Sequence, residues 1–447
     1  MLLKINFSFP KPINYIYFLS LLIFNFARAV PWPISPVDSV HPLGNNWCNF
    51  QDYGSTGPYF HTGIDIITPN QQGAPVYAVS HGWVKAWLTL GGNLYWRLAI
   101  ADSNLSYTDS CEAWLYAHID SSRYHKNVGD EVLPGDLIGY LVPWPVTGFD
   151  HLHFARIKDH GSIWTVADWA FVRNPLCLLS PNTDTVAPVF ENALGNKRFA
   201  FCQNNKSIYL NSDSLYGDVD IIAKIYDRIG KSTGNTIWDK LAPYRIEYAI
   251  RGNQDSVPTT HFVQFSGRIS QNNIRVVYKQ DSVCQSRGDY DYRDYYFIVT
   301  NTNGDTILEP EDSIACWHTA NFSDGAYWVK VTAYDVYENA KTESMLVRVK
   351  NQGSGIVQSE MPNQDIKLLI NPNPGRSLLN ISFALEQDEK VKLIIYNKIG
   401  QAEQELYNNR LLKGKHNFIY YPKHSGIYFV MLKLPNQTIS KKFVVSK

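Results

Sequence analysis

A chain of 447 residues is too long for one ordinary core and predicts about three folded units, at roughly 100 to 200 residues per domain. Aromatics reach 14%, with 28 Tyr and 12 Trp, while charged residues stand at 18%, which excludes a disordered or coiled-coil chain and favours a β-rich, extracellular composition. The formal net charge of zero hides an asymmetry: residues 361–447 carry 13 basic and 6 acidic side chains, and residues 30–360 carry 25 and 35. An acidic body of this kind excludes nucleic acid as its main partner.

The first 29 residues predict a signal peptide. Lys4 and Lys11 supply a positive start, Ile13 to Phe26 is apolar, and Ala27-Arg28-Ala29 fits the small-x-small cleavage pattern, which places the mature start near Val30. The apolar run falls short of the ~20 residues of a spanning helix, and no later stretch spans. The mature chain is expected to be exported, without a transmembrane span.

Residues 30–184 predict an antiparallel β domain. Apolar positions recur at period two between turn residues, in Gly73 to Val79, Gly82-Trp83-Val84, Gly129 to Val132 and Gly135 to Gly139. Only Val166 to Phe171 suggests a turn or two of helix. Residues 185–350 predict a second all-β unit, an immunoglobulin-like sandwich, with clean alternation in Tyr244 to Ile250 and Tyr327 to Asp335 and a last strand at Ser344 to Val349. It shows no set of catalytic residues, which suggests a binding, spacing or supporting role. A polar linker, 351–365, then leads to a compact β unit, 366–447, with strands at Leu379–Leu385, Lys390–Asn397, Gly414–Tyr421, Gly426–Leu434 and Thr438–Val445.

Six cysteines divide three and three: Cys48, Cys111 and Cys177 in the first unit, Cys202, Cys284 and Cys316 in the second. They allow 15 full pairings and single out none. No CxxC occurs, so structural disulfides or buried thiols are the expected reading rather than a Cys-ligated metal.

Two short runs in the first unit carry chemistry. In His61-Thr62-Gly63-Ile64-Asp65 an imidazole and a carboxylate flank a glycine; in Asp150-His151-Leu152-His153-Phe154 two imidazoles at i and i+2 share one face of a strand. A catalytic zinc needs about three His, Asp or Glu ligands and one open position for water. Each run alone is weak: His-x-x-x-Asp is most often a surface pair, and His118 in Leu115 to Ile119 is, alone, a strand-end histidine.

Order and context together resemble the lysostaphin- and LytM-type zinc metallopeptidases, the murein endopeptidase family. The family's His-x-x-x-Asp stands at His61 to Asp65, its Gly-x-Pro-Val-x-Ala at Gly73 to Ala78 and its Tyr-x-His at Tyr116-Ala117-His118. Its Gly-x-x-Val-x-x-Gly-x-x-Ile-Gly hairpin stands at Gly129 to Gly139, and its Thr-Gly followed by His-Leu-His-Phe at Thr147 to Phe154. The resemblance covers roughly residues 50–160. It implies that His61, Asp65 and His153 bind Zn2+ while His118 and His151 line the cleft as catalytic groups, their individual tasks left open. No HExxH is present, so the site is not of the thermolysin type.

The segment Val84 to Tyr116 departs from the family. Trp83, Trp87, Trp96 and Trp114 in and around it, and Pro143-Trp144-Pro145 before His151, either wall a groove for a peptide or sugar or pack between strands. The last unit resembles the C-terminal sorting domain of the type IX secretion system of Bacteroidetes, through Asn371-Pro372-Asn373-Pro374, Val391 to Gly400, Ser425 to Val430 and Lys441 to Val445. That resemblance implies partnership with the type IX machinery and a secreted or outer-surface location.

The expectation is therefore a secreted zinc endopeptidase that cuts peptide bonds in peptidoglycan stems or cross-bridges. Two competing readings are a non-catalytic surface protein on the same fold, and the same enzyme acting on glycine-rich extracellular proteins.

Overall fold

The computed structural model describes residues 29–53, 57–68, 73–89, 91–104, 111–123, 126–159, 169–351, 366, 368–376, 378–385, 388–398, 401–434 and 438–446. Residues 1–28 of the expected signal peptide and 352–365 of the linker lie outside them. The structure is nearly all β, with 49% strand and 7% helix. The longest α-helix among the described residues, Ile274–Val277, has four residues, and no helix there is long and apolar enough to cross a membrane.

Eight antiparallel strands build the first sheet: β1 (Leu43–Asn45), β2 (Ile64–Ile67), β3 (Gly82–Leu88), β4 (Arg97–Ala101), β5 (Glu112–Ala117), β6 (Glu131–Val132), β7 (His151–Asp159) and β8 (Trp169–Arg173). Their spatial order is β1-β2-β7-β5-β4-β3-β6, with β8 on the far end of β7. The period-two pattern explains the two faces. Leu152 and Phe154 point with Ile64, Ile66, Leu98, Ile100, Trp114 and Tyr116 into a large core. Ala155 and Ile157 point the other way, into a thin layer rich in alanine, with Ala86, Ala99, Ala101 and Ala113. That second face carries His151 and His153 at its end. The helical turn expected at Val166 to Phe171 is not seen where it can be examined: Trp169–Phe171 belong to β8, because their backbone completes the edge of β7 opposite Ile157 to Asp159; 166–168 lie outside the described residues.

The middle unit is a sandwich of a five-stranded and a four-stranded antiparallel sheet. The first is centred on Asp218–Tyr226, and the second runs Ser256–Gln264, Arg245–Arg251, Gly325–Tyr334, Ala340–Val349. Val219, Ile221, Ala223 and Ile225 face Ile246, Ile250, Val329 and Val331 in its core. Trp47, Cys48, Phe50 and Phe60 of the first unit belong to the same core, so the two units share apolar packing across the junction.

Polar bonds cross there as well. The Gln271 amide grips the Phe60 backbone from both sides, Phe60 N donating at 2.7 Å and Gln271 Nε2 donating to Phe60 O at 3.0 Å. Tyr278 Oη donates to Cys48 O at 2.8 Å, and Asn49 Nδ2 donates to Tyr295 Oη at 3.1 Å. Trp47 Nε1 reaches Gly267 O at 3.1 Å. No disulfide joins any of the six cysteines, all of which are described; Cys48, Cys202 and Cys284 are buried thiols.

The last unit is a second sandwich, of three and four strands, with its own core of Leu379, Ile381, Val391, Leu393, Ile395, Val430, Leu432 and Phe443. Its five expected strands are present within one residue. Two more, Leu369–Asn371 and Ala402–Leu411, complete the sheets. Ala402–Leu411 is mostly polar and has no buried residue, so alternation gave no sign of it: it is held by pairing along Glu389–Asn397.

Gly288 marks how closely the units approach. A Cβ there would stand 1.7 Å from Phe50 O, while its N–H donates to Asp52 Oδ1 at 2.9 Å. Gly288→Ala is expected to cost about 1–3 kcal/mol as an overpacking change, read as a lowered thermal midpoint; an unchanged midpoint would mean that the junction is looser than described.

Candidate metal centre

Register brings the site together. Across the antiparallel β2–β7 pair, His153 lies directly opposite Asp65 and His151 opposite Ile67, so the carboxylate and both imidazoles occupy one face. On the other side of β7, His153 faces Ala117, whose methyl leaves room. A Cβ on Gly63 would come within 2.7 Å of the His153 ring, which is why glycine stands between His61 and Asp65.

His118 follows the end of β5 and would point to the opposite face if the strand ran on. Its φ of 70° turns it back. The left-handed conformation costs on the order of 1–2 kcal/mol for a residue with a Cβ. His118 N donating to Trp96 O at 2.7 Å and Val142 N donating to His118 O at 2.8 Å hold it there.

His61 Nε2, His153 Nδ1 and Asp65 Oδ1 form a triangle with sides of 3.0, 2.9 and 3.1 Å. Ligand atoms at ~2.0–2.1 Å around a tetrahedral zinc stand roughly 3.3 Å apart, so the donor set fits that ion with small outward movements. His61 Nδ1 lies 3.1 Å from Asn46 O; with its proton on that carbonyl, Nε2 turns a lone pair to the centre of the triangle. Asn45 Nδ2 donates to the second oxygen, Asp65 Oδ2, at 2.6 Å, which orients the carboxylate. All three side chains are nearly enclosed, with His153 the most open at 16%.

The two remaining imidazoles stand beside the triangle. His151 Nε2 is 3.7 Å from Asp65 Oδ1, and the His118 and His151 rings are 4.7 Å apart. Each is anchored through Nδ1, His118 on Leu94 O and His151 on Phe149 O at 2.8 Å, leaving Nε2 unprotonated in the neutral ring. Burial lowers both pKa values, and for His118 the neighbouring His151 and His153 lower it further, well below the ordinary imidazole range. Burial alone would raise the Asp65 carboxyl; the neighbouring His61 and His151 rings and the hydrogen bond from His153 outweigh it and hold it well below the usual range. The site therefore presents one carboxylate beside imidazoles at His118, His151 and His153 whose charging burial disfavours.

The structure brings all five sequence-selected residues together. It also adds three that sequence reasoning missed: Asn45, Asn46 and, from the middle unit, Tyr290. Trp144 packs edge-on against both His118 and His151, at 4.7 and 4.5 Å. Its Nε1 donates to Tyr290 Oη at 3.0 Å, and Tyr290 packs on Tyr53 and Phe149. Of the other tryptophans, Trp114 is buried and stacked on Phe154 at 4.8 Å, so it is packing and not groove. Asn45 and Asn46 had no periodic signal, and Tyr290 lies some 140 residues from its partner in sequence, in a unit with no catalytic pattern.

Residues 369–446 match the family model of the secretion system C-terminal sorting domain. Comparison with curated proteins gave no match. Among solved structures, the chain is similar to the catalytic domain of the antimicrobial peptidase lysostaphin from Staphylococcus simulans, at 22% identity over 27% of this chain and 84% of that one, with a TM-score of 0.22. It is similar to a zinc containing peptidase from Vibrio cholerae at 25% identity, over 29% of this chain and 37% of that one, with a TM-score of 0.23. It is also similar to the catalytic domain of the prophage-encoded protein EnpA from Enterococcus faecalis at 22% identity, over 28% and 91%, with a TM-score of 0.21. Several of the solved structures the chain is similar to are thus peptidases by name, and residues 369–446 carry a sorting domain that implies export through type IX secretion machinery.

Proposed function

We propose that the chain is an exported zinc endopeptidase that hydrolyses peptide bonds in peptidoglycan stems or cross-bridges, with Zn2+ held by His61, Asp65 and His153 and proton transfer handled by His118 and His151. The observation that carries this reading is the closed triangle of two imidazole nitrogens and one carboxylate oxygen, with sides of 2.9–3.1 Å, beside two further neutral imidazoles on the same face. When bound, zinc polarises a scissile carbonyl and lowers the pKa of a water toward ~7.

The rest falls to the chain's own groups. With Nδ1 tied to a backbone carbonyl, His118 and His151 each offer Nε2 as a proton acceptor. The ring that takes up the proton of the attacking water becomes a donor at Nε2 and can return that proton to the leaving amine; the other, when protonated, donates to the developing oxyanion. Burial keeps both neutral at rest, the state a base requires. Trp144 fixes the two rings edge-on and, with the half-buried Tyr59 and Tyr290, supplies flat surfaces suited to amide planes of an extended peptide. Export past the cell's own envelope places such an enzyme against foreign murein or an external wall.

Three outcomes are expected. His61→Ala or Asp65→Ala loses one equivalent of zinc, measured by metal analysis, and no longer clears purified murein; full lytic activity in the zinc-deficient variant would sink the reading. His118→Ala keeps its zinc while turnover falls ~10²–10⁴-fold. Tyr290→Phe removes one hydrogen bond to Trp144, so turnover on a defined murein peptide falls about 2- to 10-fold with zinc content unchanged.

A further inference from the structure

The construction that makes the first site recurs on the middle sandwich. In the first, His153 lies opposite Asp65 across an antiparallel pair, with His151 two residues earlier on the same face. In the middle unit, His318 lies opposite Asp218 across the pair formed by Trp317–His318 and Asp218–Tyr226, with Cys316 two residues earlier. Cross-strand partners and i, i+2 neighbours share a face. The side chains meet there: His318 Nδ1 is 2.7 Å from Asp218 Oδ1, and Cys316 Sγ is 3.5 Å from His318 Nδ1. One ligand atom of each lies within 4.8 Å of the others.

A second observation points to a cation. Asp220, two residues beyond Asp218 and on the same face, is 1% exposed, and its Oδ1 has no hydrogen-bond partner. Continuing the register sets it opposite Cys316. Asp220 Oδ2 accepts from Asn205 N at 3.1 Å and Lys279 stands nearby, itself engaged by Lys206 O and Asp281, which leaves Oδ1 as a buried carboxylate oxygen without a donor. A cavity lined by Gln203, Asn204, Lys206, Tyr216, Gly217 and Asp218 opens beside the cluster, and the Asp218 and His318 side chains are 64% and 55% exposed.

We propose that Asp218, Cys316 and His318 form a second divalent-metal site of the zinc class, distinct from the peptidase centre, with its fourth position open to solvent. One thiolate, one imidazole and one carboxylate make a sulfur–nitrogen–oxygen donor set that suits zinc and discriminates against calcium and magnesium, which take oxygen. Coordination forms a metal–sulfur bond and expels the thiol proton to solvent.

The full chain, loaded with zinc and dialysed, is expected to hold two equivalents. Cys316→Ser and His318→Ala each leave one, as does His61→Ala, and the first two keep the zinc at the His61 centre. Cobalt exchange adds a readout independent of hydrolysis: a thiolate-to-cobalt charge-transfer absorption appears in the wild type and in His61→Ala and is absent from Cys316→Ser. A single equivalent in the wild type that Cys316→Ser does not alter, a second equivalent that survives both Cys316→Ser and His318→Ala, or a cobalt spectrum without the thiolate absorption would overturn the proposal.

Discussion

The register between two short antiparallel strands is the constraint on which the candidate metal centre rests. Sliding β7 by one residue against β2 would replace the facing pair Asp65 and His153 with a neighbour from the other face, because successive side chains alternate. The opposite face prevents that slip. Leu152 and Phe154 are fully buried with Ile64 and Ile66, and burying an aliphatic or aromatic side chain of this size is worth about 1.5–3 kcal/mol each. The apolar face thus fixes where the polar atoms meet, and the chemistry is held in place by side chains that never touch it.

A second constraint comes from outside the first sheet. The segment Asn45 to His61 supplies a ligand, its carbonyl anchor and the donor that orients Asp65, yet its own strands are only two or three residues long. It is held by the middle sandwich, through Gln271 on Phe60, Tyr278 on Cys48 and the paired amide bonds of Asn46 and Asn49 with Ala242. These are buried bonds, each modest when made and costly when left unmade. The sandwich therefore acts as outer support for the site residues, the supporting role among the binding, spacing and supporting ones its sequence suggested.

Much of this was legible in the chain. The five site residues stand in short runs with local spacing, and local spacing on a strand converts directly into a shared face. The terminal strands were readable because buried and exposed residues alternate in them, as in Leu379–Leu385. What escaped was what depends on distant partners: Tyr290 meeting Trp144, Gln271 meeting Phe60, and the polar edge strand Ala402–Leu411. Trp169–Phe171 read as a helical turn because six residues carry too little pattern to choose between periods, and the open edge of β7 chose for them. The buried thiols Cys48, Cys202 and Cys284 look the same in sequence as disulfide partners.

The apolar clusters divide unevenly along the chain. Those of the first two units interpenetrate near Trp47 and Phe60 and include no described residue beyond Val349, while among the described residues the terminal cluster draws on those from Ile366 onward. A cut in the 352–365 stretch would therefore open no hydrophobic interior on either side. A cut near position 184, by contrast, would tear one common interior in two. Economy of removal is built into where the cores begin and end.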